Sequence, residues 1–355
     1  MPKKLRVALI ELSTSHDECL YAQVKMLKSD KNIHLTLICN EKHRDNVKYY
    51  DLVNTIEFVQ INKGIHVWLD LFRVRKMMLK GNFDKIVFNT AQGPLLKKLL
   101  MLPFGKTDMI GTLHNTNKLN GSVGQKIISK KIRKYFVLND YLLDTIRPKD
   151  HPALQFASYY PIFFPTFPEI NVTKKENEIW ICVPGQVELK RRDYNSLFDS
   201  IEKTGIKAAV RFILLGRCSH AHGDGNQVKD WILQNNLTDH FMLFDDFISP
   251  ELFHSILKKC DYVLPLIHPL HKSFDLYKTQ VSGAYNLAFA YKKPLLMEKS
   301  FSLYTDFKDN SVFYDCNQIM ETLNNVKPDS SAAFYTEEKW NFEFQKNKYL
   351  SFIFS

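Results

Sequence analysis

The sequence predicts an α/β protein built as two Rossmann-like domains facing a cleft. Three observations carry this. The chain has 355 residues, against roughly 150 for a single domain, so each half can bury a core of its own. Short apolar runs of strand length alternate with stretches whose apolar residues recur at helical spacing, which argues for parallel sheets covered on both faces. A proline- and aromatic-rich break near the middle interrupts the alternation, which then restarts.

Residues 5–10 (LRVALI) read as a first strand buried on both faces. A polar loop, 13–17, leads into a helix through Leu20, Val24 and Leu27. Residues 33–39 (IHLTLIC) form the second strand, and 56–61, 85–88 and 109–113 further short ones. Residues 68–79 carry apolar side chains at helical spacing. Between 157 and 173 the texture changes, with Pro161, Pro165 and Pro168 set among aromatics and a charged turn following at 174–178. Strands at 179–183, 210–215, 241–244, 262–266 and 294–297 then alternate with helices at 194–203, 227–235, 250–259 and 283–291. The end of the chain, 332–352, holds Tyr335, Trp340, Phe342, Phe344 and Tyr349 and reads as an aromatic-rich helix.

With 45% hydrophobic and 13% aromatic residues the chain is not a disordered one. No apolar run approaches the ~18 residues of a membrane span. The basic start, Met1 to Arg6, lacks the apolar stretch and cleavage site of a signal peptide. Lys and Arg number 48 against 38 Asp and Glu, a net charge of +10. That balance suits anionic partners: phosphorylated small molecules, an acidic membrane surface or nucleic acid. The cations are spread along the chain and not gathered with aromatics, so no nucleic acid is expected. Residues 126–134 (KIISKKIRK) and Lys97 with Lys98 are candidate membrane contacts or simply solvated helix faces. Cys19, Cys39, Cys182, Cys218, Cys260 and Cys316 form neither a CxxC pair nor a zinc spacing, which reads as a reducing, cytoplasmic setting.

No G-x-G-x-x-G follows the first strand, and no Walker A sequence or G-x-S-x-G elbow occurs, against a dehydrogenase, a P-loop NTPase and an α/β-hydrolase. Four other segments stand out. In 179–194 (IWICVPGQVELKRRDY) a strand ends at Gly185, and Lys190, Arg191 and Arg192 precede a helix. Those cations suit a diphosphate held by charge-assisted hydrogen bonds, or they are a solvated basic loop. In 211–218 (RFILLGRC), Gly216 at a strand end permits close approach of a ligand. The third segment, 241–253, sets Phe244 and Phe247 where a base can stack, ahead of Ser249-Pro250, a good helix start. In the fourth, Lys278, Thr279, Ser282 and Gly283 precede a helix whose free amides favour phosphate, while Ser282 is equally an ordinary N-cap.

In this order, the four segments resemble the carboxyl-terminal domain of GT-B glycosyltransferases, most nearly the large retaining group that uses nucleotide-diphosphate sugars. The resemblance spans roughly residues 5–300. It places Gly185-Gln186 at the family's Gly-Arg pair and Lys190 or Arg191 at its downstream cation. Gly216 follows the next strand, Phe244 opens the base-side loop, and 284–294 forms the last element. His114, in Thr112-Leu113-His114-Asn115, resembles the strand-end histidine near the transferred sugar. Residues 132–145 resemble a strand-polar-helix element with Asn139 at the polar position, and Tyr160-Pro161 the opening of the interdomain linker. The family's E-x7-E pattern is absent, its two positions being Thr279 and Leu287.

The resemblance implies sugar transfer from a nucleotide-diphosphate donor to a glycan or lipid-linked acceptor, in polysaccharide or glycolipid synthesis at the inner face of the membrane. No cofactor or bound metal is implied. The domains expected are 1–165 on the acceptor side, 166–330 on the donor side, and a helix in 331–355 crossing back to the first. Donor-binding candidates are Gly185, Lys190, Arg191, Gly216, Phe244, Thr279, Ser282 and Gly283. His114 and His16 are the catalytic candidates. His16 lies in the loop after the first strand, where Asp17 or Glu18 can serve it as a carboxylate partner; an idle surface histidine is the alternative. His220, His222 and Asp224 suggest a metal at first sight, but Gly223 and Gly225 argue for a flexible loop. A sugar-nucleotide epimerase of the same architecture and a non-catalytic nucleotide-binding member are the alternatives.

Overall fold

The computed structural model describes residues 4–105, 107–219, 224–328 and 334–355. The chain divides into two compact units, Met1–Pro165 with Asn341–Ser355, and Thr166–Trp340.

The first unit runs β1 (Leu5–Glu11), α1 (Leu20–Lys28), β2 (Ile33–Asn40), β3 (Thr55–Val59), α2 (His66–Lys80), β4 (Lys85–Phe88), α3 (Gly93–Met101), β5 (Asp108–Leu113), α4 (Val123–Ile128), β6 (Lys134–Leu138), α5 (Asp140–Asp144) and β7 (Gln155–Tyr159). Its strands form a parallel sheet in the order β3-β2-β1-β4-β5-β6-β7. β1 is an interior strand, with Val7 beside Leu35 on one side and Lys85 on the other. From Val7 to Glu11 every side chain of β1 is buried, as a strand covered by helices on both faces requires.

The second unit runs β8 (Ile179–Pro184), α6 (Tyr194–Thr204), β9 (Val210–Arg217), α7 (Asp224–Gln234), β10 (Phe241–Phe244), α8 (Pro250–Lys259), β11 (Tyr262–Val263), α9 (Phe274–Tyr277), α10 (Gly283–Tyr291), β12 (Leu295–Glu298), α11 (Thr305–Lys308), β13 (Ser311–Tyr314) and α12 (Ile319–Leu323). Its sheet, also parallel, has the order β10-β9-β8-β11-β12-β13. Ile181, Val183, Phe212 and Leu214 fill its core against Tyr194, Leu197 and Ile201 of α6.

The last helix, α13 (Phe342–Phe354), belongs to the first unit. Its Tyr349 ring stacks on Phe136 at 4.6 Å, and the Tyr349 hydroxyl donates to Gln23 Oε1 at 2.9 Å. Gln345 Oε1 accepts from the Tyr160 backbone N–H at 3.2 Å.

Four sequence expectations need correction. Among the described residues, the aromatic-rich end is α-helical only from Phe342, after a 3-10 turn at Glu338–Trp340. The break expected from 157 overlaps β7, which extends the first sheet through the pair Phe136–Ala157. The strand expected over 262–266 ends at Val263; beyond it Pro265 has no N–H to give the ladder, and Leu266 turns away with a left-handed φ of 52°. Gly225, expected with Gly223 in a flexible loop, is buried in the first turn of α7, which begins at Asp224; Gly223 lies outside the described residues.

Candidate functional site

Read from the amino terminus of each unit, both sheets have the strand order 3-2-1-4-5-6, with one more strand in the first. In such sheets ligands bind outside the carboxyl ends of the strands, where the winding reverses. That point falls between β1 and β4 in the first unit and between β8 and β11 in the second.

In the first unit the crevice is lined by Glu11 at the end of β1, Asn89 and Thr90 after β4, and His114 after β5. Glu11 is fully buried. Its Oε2 accepts from Asn89 Nδ2 at 2.6 Å and Thr90 Oγ1 at 2.5 Å, and its Oε1 from the Ser13 N–H at 2.7 Å. Asn89 Nδ2 also donates to the His16 carbonyl at 2.8 Å. These bonds hold His16 in a left-handed conformation, φ 71°, rare for a side chain of its size. The result is a stacked pair of imidazoles, His16 on His114, with centroids 3.7 Å apart and planes 17° from parallel. His43 donates from Nε2 to the Ser13 carbonyl at 2.8 Å, and Asn46 Nδ2 donates to Asp17 at 2.8 Å, bracing the loop from below.

The two rings carry opposite tendencies. Burial pulls His16 down, but the Glu18 carboxylate, 3.4 Å from Nδ1, with Glu11 and Asp17 behind it, outweighs burial and raises it above its ordinary value. Burial and the neighbouring His16 charge depress His114 strongly. His114 therefore stays neutral. Its Nε2 lies 2.7 Å from the Asn89 carbonyl, which can only accept, so the proton sits on Nε2 and Nδ1 is left as an acceptor.

At the next strand end, Asn139 has φ 66° and ψ 156°, a region otherwise left almost entirely to glycine, and is fully buried. A cavity of about 420 Å³ opens beside this crevice, lined by Ser13 and Thr14, by Lys63, Gly64 and Val67 at the start of α2, and by Leu95 and Lys98 of α3.

In the second unit the reversal point is spanned by a guanidinium. Arg192 is buried; Nη1 donates to the Pro265 carbonyl at 2.8 Å and Nη2 to the Pro184 carbonyl, joining the exits of β8 and β11. The expectation that all three cations of the loop face a ligand is thus corrected: Arg192 is a brace. Lys190 and Arg191 are exposed, leaning on the buried Glu188 carboxylate at 3.5 and 3.0 Å. His271 Nε2 donates to the Leu189 carbonyl at 2.8 Å and fixes the middle of the loop. Asp193 caps α6, accepting from Ser196 N and from His268 Nδ1 at 2.8 Å. Burial opposes its ionisation, yet the His268 and Ser196 hydrogen bonds prevail and bring its carboxyl down to about 2.

Gly185 has φ 102° and abuts the Arg192 guanidinium. Gly216 lies inside β9, where a Cβ would overlap the Gly185 carbonyl oxygen. The missing side chain at Gly216 therefore admits the protein's own backbone, not a ligand. Phe244 is half-buried at the end of β10, opposite Arg217, with Phe247 exposed beyond it. Thr279 donates to the Leu276 carbonyl at 3.3 Å. Ser282 precedes α10 with extended φ and ψ, but its hydroxyl makes no capping bond, contrary to the capping alternative. Gly283 is exposed, with open space where a Cβ would stand. His220 and His222 lie outside the described residues, and among the described residues no three His, Cys, Asp or Glu side chains group as metal ligands.

The sequence alone does not single out Glu11, Asn89 or His43 as site residues, and it reads Arg192 as a ligand cation where the structure makes it a brace. Glu11 alone left a signal there, an acid closing an otherwise apolar strand.

No family profile and no curated protein matches the sequence. Solved structures do match over the whole chain. UDP-GlcNAc 2-epimerase from Methanocaldococcus jannaschii superposes with a TM-score of 0.62 at 10% identity, over 99% of this chain and 100% of its own. HepE of Anabaena in complex with UDP gives 0.62 at 12%, over 99% and 96%. Sucrose-phosphate synthase from Thermosynechococcus elongatus gives 0.60 at 12%, over 99% and 95%. At such identities the likeness is one of fold, and that fold is GT-B: two Rossmann-like units with parallel sheets.

Proposed function

We propose that this chain is a glycosyltransferase that moves a sugar from a nucleotide-diphosphate donor to an acceptor hydroxyl of a glycan or lipid-linked glycan. The observation that carries the reading is the stacked histidine pair, one ring drawn toward the charged form and the other held neutral. His114 Nδ1 accepts a hydroxyl of the donor sugar. His16, in its neutral form, takes the acceptor proton as the new C–O bond forms and the bond from the anomeric carbon to phosphate breaks; Glu18 then stabilises the imidazolium. Negative charge grows on the departing diphosphate, which Lys190, Arg191 and the amides at Gly283 neutralise, so no metal ion enters this scheme. Phe247 offers a face to the base. HepE, of the same fold, is described in complex with UDP, which favours a uridine nucleotide.

The epimerases of this fold favour a second reading, a sugar-nucleotide epimerase, which needs no acceptor. Calorimetric titration with UDP, GDP, CMP and ADP, followed by product analysis with and without acceptor, separates the two. Transfer predicts binding of one nucleotide, weakened about tenfold or more in Arg191→Ala by loss of a charge-assisted bond. It also predicts that His16→Ala lowers turnover while leaving that affinity unchanged. An epimerised sugar nucleotide formed without acceptor establishes the second reading, and no binding of any nucleotide defeats both.

A further inference from the structure

We propose that the outer face of α2 docks on the surface of a membrane containing anionic lipid. The helix buries Val67, Leu71, Val74 and Met78, positions i, i+4, i+7 and i+11, in the first unit. On its other side Leu69 is 59%, Phe72 50% and Leu79 42% exposed, and Ile65, just ahead of the helix, 80%. Those residues fall in steps of four and three with Lys76 between them, a stripe about 21 Å long at the helical rise. A soluble monomer rarely leaves such a line of aliphatic and aromatic side chains to water.

The charges beside the stripe have one sign. Arg73, Lys76 and Lys80 are exposed, and Lys63 precedes the helix. The helix's single carboxylate, Asp70, is buried, where it accepts from Asn62 N and Nδ2 at 2.9 Å each and from Arg73 at 3.2 Å. An apolar stripe bordered only by long cationic side chains matches a lipid surface: the stripe enters the acyl boundary while the cations reach up to phosphate. Nucleic acid leaves Ile65, Leu69 and Leu79 uncovered, and a second copy of this chain sets like charges against each other. The segment expected to touch the membrane, 126–134, offers far less apolar surface, because Ile128 and Ile132 are fully buried and Ile127 is half-buried. Gly64 and Val67, on either side of Ile65, line the 420 Å³ cavity together with Lys63 and Lys98. Docking through α2 therefore sets that cavity at headgroup level. Only the further step, that a lipid-linked acceptor enters there, rests on the transferase reading.

Sedimentation with vesicles of phosphatidylcholine, with and without phosphatidylglycerol, tests the docking independently of any reaction. The full chain is expected to pellet with the anionic vesicles and to be released by salt. Leu69→Ser with Phe72→Ser should weaken partitioning about tenfold or more, and Lys76→Glu with Lys80→Glu should abolish it. Both pairs are exposed, so melting temperatures should match the wild type, and Lys130→Glu with Arg133→Glu should bind as the wild type does. Binding unchanged in both α2 variants, or binding lost in the 130/133 variant instead, overturns the proposal. So does a dimer in solution that Leu69→Ser disperses, which would give the stripe to a second copy. Nucleotide affinity measured on the same variants keeps failure of the docking distinct from failure of the transferase reading.

Discussion

The two units have the same winding but close their reversal points by opposite means. In the first, the space beyond β1 and β4 is filled by a hydrogen-bonded set of side chains: Glu11 holds the Asn89 and Thr90 donors, and Asn89 holds the His16 backbone over His114. In the second, the same space is bridged by Arg192 between the Pro184 and Pro265 carbonyls, and the protein's own backbone occupies the room left by Gly216. One crevice holds two imidazoles pushed in opposite directions, His16 raised and His114 depressed; the other is a rigid cationic rim. A chain that splits a reaction between acid–base chemistry and charge neutralisation has use for both.

The sharpest way to break the contrast is to disturb the rigid rim. Gly216→Val drives a branched side chain into the Gly185 carbonyl, backbone that has no route of escape. We expect a loss of about 3 kcal/mol, seen as a fall of roughly 6–12 °C in the melting temperature. A variant that melts with the wild type would return Gly216 to the role the sequence suggested, a gap left for a ligand. Arg192→Met is the next step down. It leaves two buried carbonyls without donors, a cost of about 2 kcal/mol, and calorimetry should show weaker nucleotide binding as the loop loosens. Gly283→Val, by contrast, meets open space and should not alter melting. Its nucleotide affinity should fall if the α10 amides hold phosphate, and unchanged affinity would remove that end of the rim.

Why one crevice was more legible in the sequence than the other follows from what each uses. Gly185, the basic loop and the alternation of strand and helix are written in residue type, because a left-handed turn restricts which residues serve and a run of cations is plain in one dimension. The stacking of His16 on His114 joins loops 98 residues apart, and spacing says nothing about it. Arg192 reads as a third ligand cation because its neighbours Lys190 and Arg191 look the same in one dimension; only burial separates them. The strand at 155–159 was lost because QFASY is half polar and runs into the prolines, whereas 262–266 was extended because YVLPL stays apolar after its pairing has stopped. The exposed face of α2 was hidden by the same ambiguity: helical periodicity in 68–79 identifies a helix, but Leu69 and Phe72 look like core until the fold shows which side is covered.

The smallest expected effect tests the contrast most directly, because it asks how each crevice responds to protons. His16 has its pKa raised by folding, so its stabilisation is fully present below about 6.5, the ordinary value, and is lost as pH rises through the folded value. His114 has its pKa depressed, so the unfolded chain binds the extra proton and stability falls as pH drops below about 6.5. The two slopes oppose each other and meet there, giving the first unit a maximum of stability near that pH. Asp193 of the second unit, held at about 2, contributes fully above about 3.8, the ordinary value, and loses that contribution only as pH falls through about 2. Replacing His16 by Gln should remove the loss on the alkaline side. It should also ease the acid-side loss, because the His16 charge is part of what depresses His114. Melting temperature against pH, with the imidazole proton resonances followed by NMR, reads both. If the His16→Gln variant keeps the wild-type curve on both sides of the maximum, the rings do not sense one another, and the first crevice is as inert to protons as the second.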